Sequence, residues 1–410
     1  METKQRSLYS LATWKNGLAF KNIHFSPSGM PVVKIAELKN GITNQTQFTE
    51  QTFDESVFLH RGDLLFSWSG NPETSIDVFW YNLMDGWLNQ HIFKVTPSEG
   101  VDRHYLYYLL KSLKPRFQAI ASNKQTTGLG HVTIKDLKEL MVELPPIEIQ
   151  RQIGKCLSAY DGRINCLLRI NENLLQQAKA ALNAYFIDFS RFNGVAPVDW
   201  EHGTLQDIVD FTNGYAFKSK DLLDTPMPDC YQVFKQGHIN RGGGFNSSGT
   251  KSWYPISKCK NLAKYILQKY DVLMAMTDMK DNVAILGNTA LMTVSNQYIV
   301  NQRVGLLRSN GYKGTSYAYV YLLTNSPSFL RDLRNRANSG VQVNLSSSEI
   351  KSSPLLIATE AVNKEFNDLT EPLLSTIIAN DIECQRIAAL RDTLLPRIIF
   401  GELDVSMIDL

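Results

Sequence analysis

Asn16-Gly17-Leu18-Ala19-Phe20-Lys21 returns as Asn213-Gly214-Tyr215-Ala216-Phe217-Lys218, five of six residues recurring at an offset of 197. Further along, Gly62-Asp63-Leu64-Leu65-Phe66 is echoed by Tyr270-Asp271-Val272-Leu273-Met274. Leu88-Asn89-Gln90-His91 is echoed by Val300-Asn301-Gln302-Arg303, and Tyr107-Tyr108-Leu109-Leu110 by Val320-Tyr321-Leu322-Leu323. The order is kept while the offset drifts from 197 to 213, as small loop insertions would produce. A period near half the chain marks a tandem duplication. Between the matches, Val32-Val33-Lys34-Ile35, Asp63 to Trp68 and Ile92-Phe93-Lys94-Val95 read as short strands bounded by turns. Tyr105 to Leu113 reads as a short helix. Each copy is therefore expected to be a mixed α/β unit of roughly 150 residues.

A long helical stretch follows each copy. Pro145-Pro146 closes the first, since proline is accepted at a helix start but not inside one. Beyond it Leu157, Tyr160, Ile164, Leu167, Asn171, Leu174, Ala178, Ala181 and Tyr185 recur at alternating steps of three and four. The second stretch offers Phe366, Leu369, Leu373, Thr376, Asn380, Glu383, Ile387, Leu390 and Leu394, every pair at an offset of 209. This spacing predicts a heptad seam, with Asn171 and Asn380 at one central position where a polar residue can set register. Ile170, Leu168, Leu175, Ile377, Ile378 and Ile382 lie off that seam, more apolar surface than one partner helix covers. Gly162 and Pro372 mark equivalent weak points where each helix is expected to bend or start.

Composition narrows the function. At 410 residues the chain is long enough for two or three domains with real cores. Met1 to Ser10 is polar and charged and does not read as a signal peptide. No stretch approaches the ~18 apolar residues of a membrane helix. The five cysteines, Cys156, Cys166, Cys230, Cys259 and Cys384, are odd in number and form no C-x-x-C pair. That pattern suits a reducing cytoplasm and argues against a disulfide scaffold or a zinc finger. A net charge of only +2 is lower than a solitary, sequence-independent DNA binder usually carries. A DNA reader whose partners supply other parts of the grip remains compatible.

Enzymatic signatures are missing. The sequence has no G-x-x-x-x-G-K-[ST] loop, no H-E-x-x-H and no G-x-S-x-G elbow. Gly242-Gly243-Gly244 reads as a flexible hairpin tip. Asn71-Pro72-Glu73 does not fit the Asn/Asp-Pro-Pro-aromatic signature of an amino-methyltransferase. Glu37-Leu38-Lys39 could serve a metal nuclease, yet no Asp precedes Glu37. No catalytic residue and no metal ligand is therefore assigned.

The candidate DNA-contacting residues lie in polar loops, where amides suit adenine edges, arginines suit guanine, and lysines and hydroxyls hold phosphates. In copy one these are Ser67, Ser69, Asn71, Lys124, Gln125, Thr126, Thr127 and His131. In copy two they are Gln236, His238, Arg241, Thr277, Lys280, Asn282, Arg334, Arg336, Asn338, Gln342 and Asn344. The bland alternative for each is a solvated turn.

The boundary after copy one reads Leu144-Pro145-Pro146-Ile147-Glu148-Ile149-Gln150-Arg151-Gln152-Ile153, continuing to Leu157-Ser158-Ala159-Tyr160-Asp161-Gly162-Arg163-Ile164. It resembles the conserved-region signature of specificity subunits of type I restriction–modification enzymes. Leu390-Arg391-Asp392-Thr393-Leu394-Leu395-Pro396-Arg397, ending in Gly401-Glu402-Leu403, looks like that family's closing motif. Copy two departs from the pattern, with Ile357-Ala358-Thr359 where copy one has Leu144-Pro145-Pro146. The resemblance implies an α+β fold: two tandem mixed α/β target-recognition domains separated by two long helices that form an antiparallel coiled coil, with a pseudo-two-fold internal repeat. The expected organisation is recognition domain 1 over 1–145, a central helix over 146–192, recognition domain 2 over 193–357 and a C-terminal helix over 358–410. It further implies a cytoplasmic, non-catalytic subunit that reads a bipartite asymmetric site on double-stranded DNA, the helices setting the distance between halves. Two methyltransferase subunits and restriction/translocation subunits would join it. S-adenosylmethionine, ATP and Mg would belong to those partners, and no cofactor to this chain. Two other readings stay open: a tandem-repeat scaffold that bridges partners through its coiled coil, and a nuclease or methylase too diverged for its motif to show.

Overall fold

The computed structural model describes residues 4–124, 128–279, 284–339 and 342–405. The chain forms two compact units: residues 1–165 with 385–410, and residues 166–384. Each unit thus holds one portion of both long helices, so the compact bodies are not consecutive segments.

In unit one, Ala12–Asn16, Ile92–Pro97, Leu64–Ser67 and Asp77–Trp80 form a four-stranded antiparallel sheet in that spatial order. The strand Leu64–Ser67 is buried at every position because both sheet faces are covered. Leu64 and Phe66 enter a core with Tyr105, Leu106, Leu109 and Phe117, from the helices Arg103–Ser112 and Lys114–Asn123. Leu65 points the other way, to Val33, Leu59, Trp87 and Ile92, as the two-residue period of a strand requires. A second sheet runs Phe48–Thr49, Met30–Val33, Gly86–Leu88, Phe58–Leu59, with its central pair parallel. Lys4–Ser7 pairs with Met141–Leu144 and delivers the chain to the first long helix.

Unit two repeats this plan. Its sheet is Val209–Asn213, Val304–Ser309, Val272–Ala275, Thr289–Leu291, again antiparallel and in the same order. Val272 and Met274 face one core, and Leu273 and Ala275 the other. Cys230–Phe234 runs parallel to Tyr298–Val300, as Met30–Val33 does to Gly86–Leu88. Glu201–Thr204 pairs with Pro354–Ile357. Single hydrogen bonds repeat too. The Gly17 N–H donates to Ile92 and the Gly214 N–H to Val304; the Asn89 N–H donates to Val33 and the Asn301 N–H to Phe234. The duplication read from short sequence blocks is a duplication of backbone geometry.

The long helices are Ile147–Leu182, 36 residues, and Glu360–Ile399, 40 residues. Both helices run unbroken through Gly162 and Pro372, so neither residue starts its helix as one form of that expectation had it. An internal proline costs about 3 kcal/mol, but Phe366, Thr370, Leu374 and Ile378 on both sides of Pro372 are buried, and that packing carries the helix through it. Buried amides dock each helix start. Gln150 Nε2 donates to the Gly100 and Pro145 carbonyls, and Asn363 Nδ2 to those of Lys313 and Ala358. These equivalents stand 213 apart, not 209. The difference, four residues, is a full turn plus about 40°, so the second helix presents a row rotated by that much from the expected seam. Leu369 and Leu390 are 48% and 49% exposed, whereas Ile378, expected off the seam, is buried. Leu157 and Phe366 are buried, and Ile164, Leu174, Leu373, Asn380, Ile387 and Leu394 partly so.

The helices pair antiparallel within each unit. In unit two Asn380 Nδ2 donates to Asn171 Oδ1 at 2.8 Å, and Asn171 Nδ2 to Asp381 Oδ1 at 2.8 Å. Further along the first helix and back along the second, the Tyr185 hydroxyl donates to Glu365 at 2.6 Å. In unit one Arg391 pairs with Asp161, and Leu395 and Ile398 pack in one core with Ile153 and Leu157. Among the described residues no helix is long and apolar enough to cross a membrane.

Candidate nucleic-acid interface

In each unit the central sheet hands its chain to a small separate ribbon, and most of the expected loops meet there. In unit one Ser69–Gly70 pairs with Gly130–His131, placing Ser69 opposite His131. In unit two Thr277–Met279 pairs with Gln342–Asn344, placing Thr277 opposite Asn344, and Asn338–Ser339 adds a third strand. Loops separated by about 60 residues of sequence are thereby brought to one place in each unit.

The junction beneath each ribbon is the same. The Trp68 N–H donates to the His91 carbonyl at 3.2 Å, and the Trp68 carbonyl accepts from Val132 N–H at 2.9 Å. The Met276 N–H donates to the Arg303 carbonyl at 3.1 Å, and the Met276 carbonyl accepts from Leu345 N–H at 2.9 Å. A close crossing fixes each junction. A Cβ on Gly17 would stand 2.2 Å from the Asn89 carbonyl oxygen, and one on Gly214 2.0 Å from that of Asn301. Only glycine lets the chain pass, which explains why the Asn-Gly pair occurs in both copies. Asn16 Oδ1 accepts from the Trp68 indole N–H at 2.9 Å, and Asn213 Oδ1 from the Ser347 hydroxyl at 2.9 Å.

Several expected contact residues make hydrogen bonds inside the units. Ser67 is fully buried and its hydroxyl donates to the Ser75 carbonyl, so it shapes the loop from within. His238 is likewise fully buried; Lys235 N–H donates to its Nδ1, and burial lowers its pKa. The Thr277 hydroxyl donates to Gln236 Oε1, tying these two candidates to each other. Arg334 donates to the Leu286 carbonyl at 2.9 Å and to Asn288 Oδ1 at 3.2 Å, and burial lowers its pKa. Arg336 donates to the Glu349 carbonyl at 2.7 Å, to the Ser353 hydroxyl and to Asp332. Each of the two arginines thus bridges loops of its own unit.

Other candidates remain outward. Asn71 is exposed, its Oδ1 accepting from the N–H groups of Glu73 and Thr74. Lys124 is exposed and pairs with Asp136 at 2.5 Å. Arg241 and Asn344 are exposed, and His131 is partly buried. Gln125, Thr126, Thr127, Lys280 and Asn282 lie outside the described residues, and for Asn338 and Gln342 only the strand pairing is described.

Sequence reasoning missed His91 and Arg303, both exposed at the junctions. Desolvation of the ring, then the neighbouring His131, lowers the His91 pKa. Their signal lay in the repeat: Asn89-Gln90-His91 and Asn301-Gln302-Arg303 agree except at the last residue. No group of three or more potential metal ligands occurs among the described residues.

Residues 2–177 and 197–377 match the type I restriction modification DNA specificity domain, one match per copy. The chain is 26% identical over 306 residues to the MjaVIII type I restriction enzyme specificity subunit of Methanocaldococcus jannaschii, covering 72% of this chain and 67% of that one. It is 21% identical to the HindI specificity subunit of Haemophilus influenzae, covering 84% and 87%. In fold it is similar to the crystal structure of a type I restriction-modification S subunit from M. genitalium, with a TM-score of 0.57 at 17% identity, covering 98% of this chain and 97% of that one.

Proposed function

Because the chain belongs to the type I restriction–modification DNA specificity family, we propose that each of its two units reads one half of a bipartite, asymmetric site on double-stranded DNA. The chain's role is DNA sequence specificity, and as a specificity subunit it is non-catalytic. A tandem scaffold without sequence reading is not favoured. The observation that carries the half-site reading is the repeated junction: the same backbone frame occurs once in each unit, below a polar ribbon whose side chains differ. Two equal frames with unequal side chains suit two unequal half-sites. Phosphate contacts would position each unit and base contacts specify it.

The partners that suit this role are two methyltransferase subunits, which would bring S-adenosylmethionine and adenine methylation, and restriction/translocation subunits, which would use ATP and Mg. The setting is the cytoplasm. On this reading the recognition domains cover 1–145 and 193–357, and the helices 146–192 and 358–410. The test is to sequence methylated adenines in a host expressing the chain with its methyltransferase partner. Two unlike half-sequences separated by a fixed spacer are expected. A single continuous site, or methylation without sequence preference, would refute one half-site per unit.

A further inference from the structure

We infer that the difference between the two half-sites is carried at two pairs of equivalent positions, His91 with Arg303 and His131 with Asn344, set over a third pair, Trp68 with Met276, which positions them. This rests on the assignment of one half-site to each unit. The frame around these positions is shared. Asn16-Gly17 matches Asn213-Gly214, and Asn89-Gln90 matches Asn301-Gln302, with corresponding backbone hydrogen bonds. Atoms that are the same in both units cannot read different bases, so discrimination falls to the side chains that change. The three pairs meet at one point. Residue 68 or 276 gives its N–H to the carbonyl of 91 or 303, and its carbonyl takes the N–H of the residue after 131 or 344.

The chemistry of the changes is directional. Arg303 is exposed and makes no side-chain hydrogen bond or ion pair among the described residues. A guanidinium fork matches guanine O6 and N7, and an asparagine amide matches adenine N6 and N7. Unit two is therefore suited to a guanine at Arg303 and an adenine at Asn344. In unit one the imidazoles of His91 and His131 each offer one donor and one acceptor when neutral, a different pattern from an all-donor fork. The Trp68 ring lies edge-on to His91, centroids 5.7 Å apart, and stacks on Phe93, which limits where His91 can point. Met276 supplies no ring, so Arg303 keeps the longer reach.

The experiment uses the complete chain assembled with its methyltransferase partner, modifying a plasmid library of random sequence that is then read for methylated adenines. Arg303→Ala should relax one guanine position in one half-site by about tenfold or more, leaving the other half unchanged. Arg303→Lys should relax the same position, because lysine keeps the charge but not the fork. His91→Ala should relax a position in the opposite half only. Melting temperatures equal to wild type would show that folding is intact; were Arg303→Ala to abolish modification, Arg303→Lys would supply the consensus. An unchanged consensus in all three variants, or a uniform fall in methylation with the consensus preserved, would overturn the inference and leave the half-site reading standing. A wild-type consensus that is not bipartite would overturn both.

Discussion

Individual arginines show how a side chain's surroundings decide its role. Arg334 and Arg336 belong to the run Arg334-Asn335-Arg336-Ala337-Asn338-Ser339-Gly340, which as bare sequence looks like a nucleic-acid loop. Their guanidinium groups instead satisfy the carbonyls of Leu286 and Glu349. Arg334→Ala or Arg336→Ala should each cost about 1–3 kcal/mol by stranding part-buried acceptors. Arg303→Ala, at an exposed arginine, should change stability by less than about 0.5 kcal/mol. Denaturant unfolding of the three variants checks this, and equal effects would contradict it. Composition exposed the polar loops but not their partners, because an arginine's hydrogen bonds come from segments dozens of residues away. His91 and Arg303 were legible only as the changed letter inside a repeated block.

Among elements, the long helices were the most legible and their facing the least. Spacing of apolar residues predicts two helices and an Asn171–Asn380 correspondence, and the two amides do bond to each other. The buried row on the second helix is rotated by about 40° from the expected seam, with docking through Gln150 and Asn363, which period alone does not reveal, setting the rotation. Beside the amide pair, burial raises the Asp381 pKa, an effect its hydrogen bond from Asn171 opposes. A carboxyl raised in the folded state favours folding while protonated, and that contribution is lost as pH rises through the raised value. Asp381→Asn, whose amide oxygen still accepts from Asn171, should therefore raise the melting temperature at pH 7. The gain should shrink as pH falls toward the ordinary carboxylate range. Melting curves between pH 7 and 4 test it; a gain independent of pH, or a loss at pH 7, would contradict the burial argument.

At the scale of the whole molecule, duplication is the organising fact, written in four short blocks and realised as one sheet topology built twice. The repeat was legible because glycine at a close crossing and alternating apolar residues in a doubly covered strand leave few substitutes. The division into compact units was not, since each unit gathers parts of both long helices from distant sequence. Whether each unit reads its own half-site is decided by exchange. Residues 193–357 are replaced with the corresponding segment of a relative of different specificity, and the methylated consensus of the complex is sequenced. One half-sequence should be kept and the other should become the donor's. A consensus in which both halves change, or neither does, would contradict one half-site per unit.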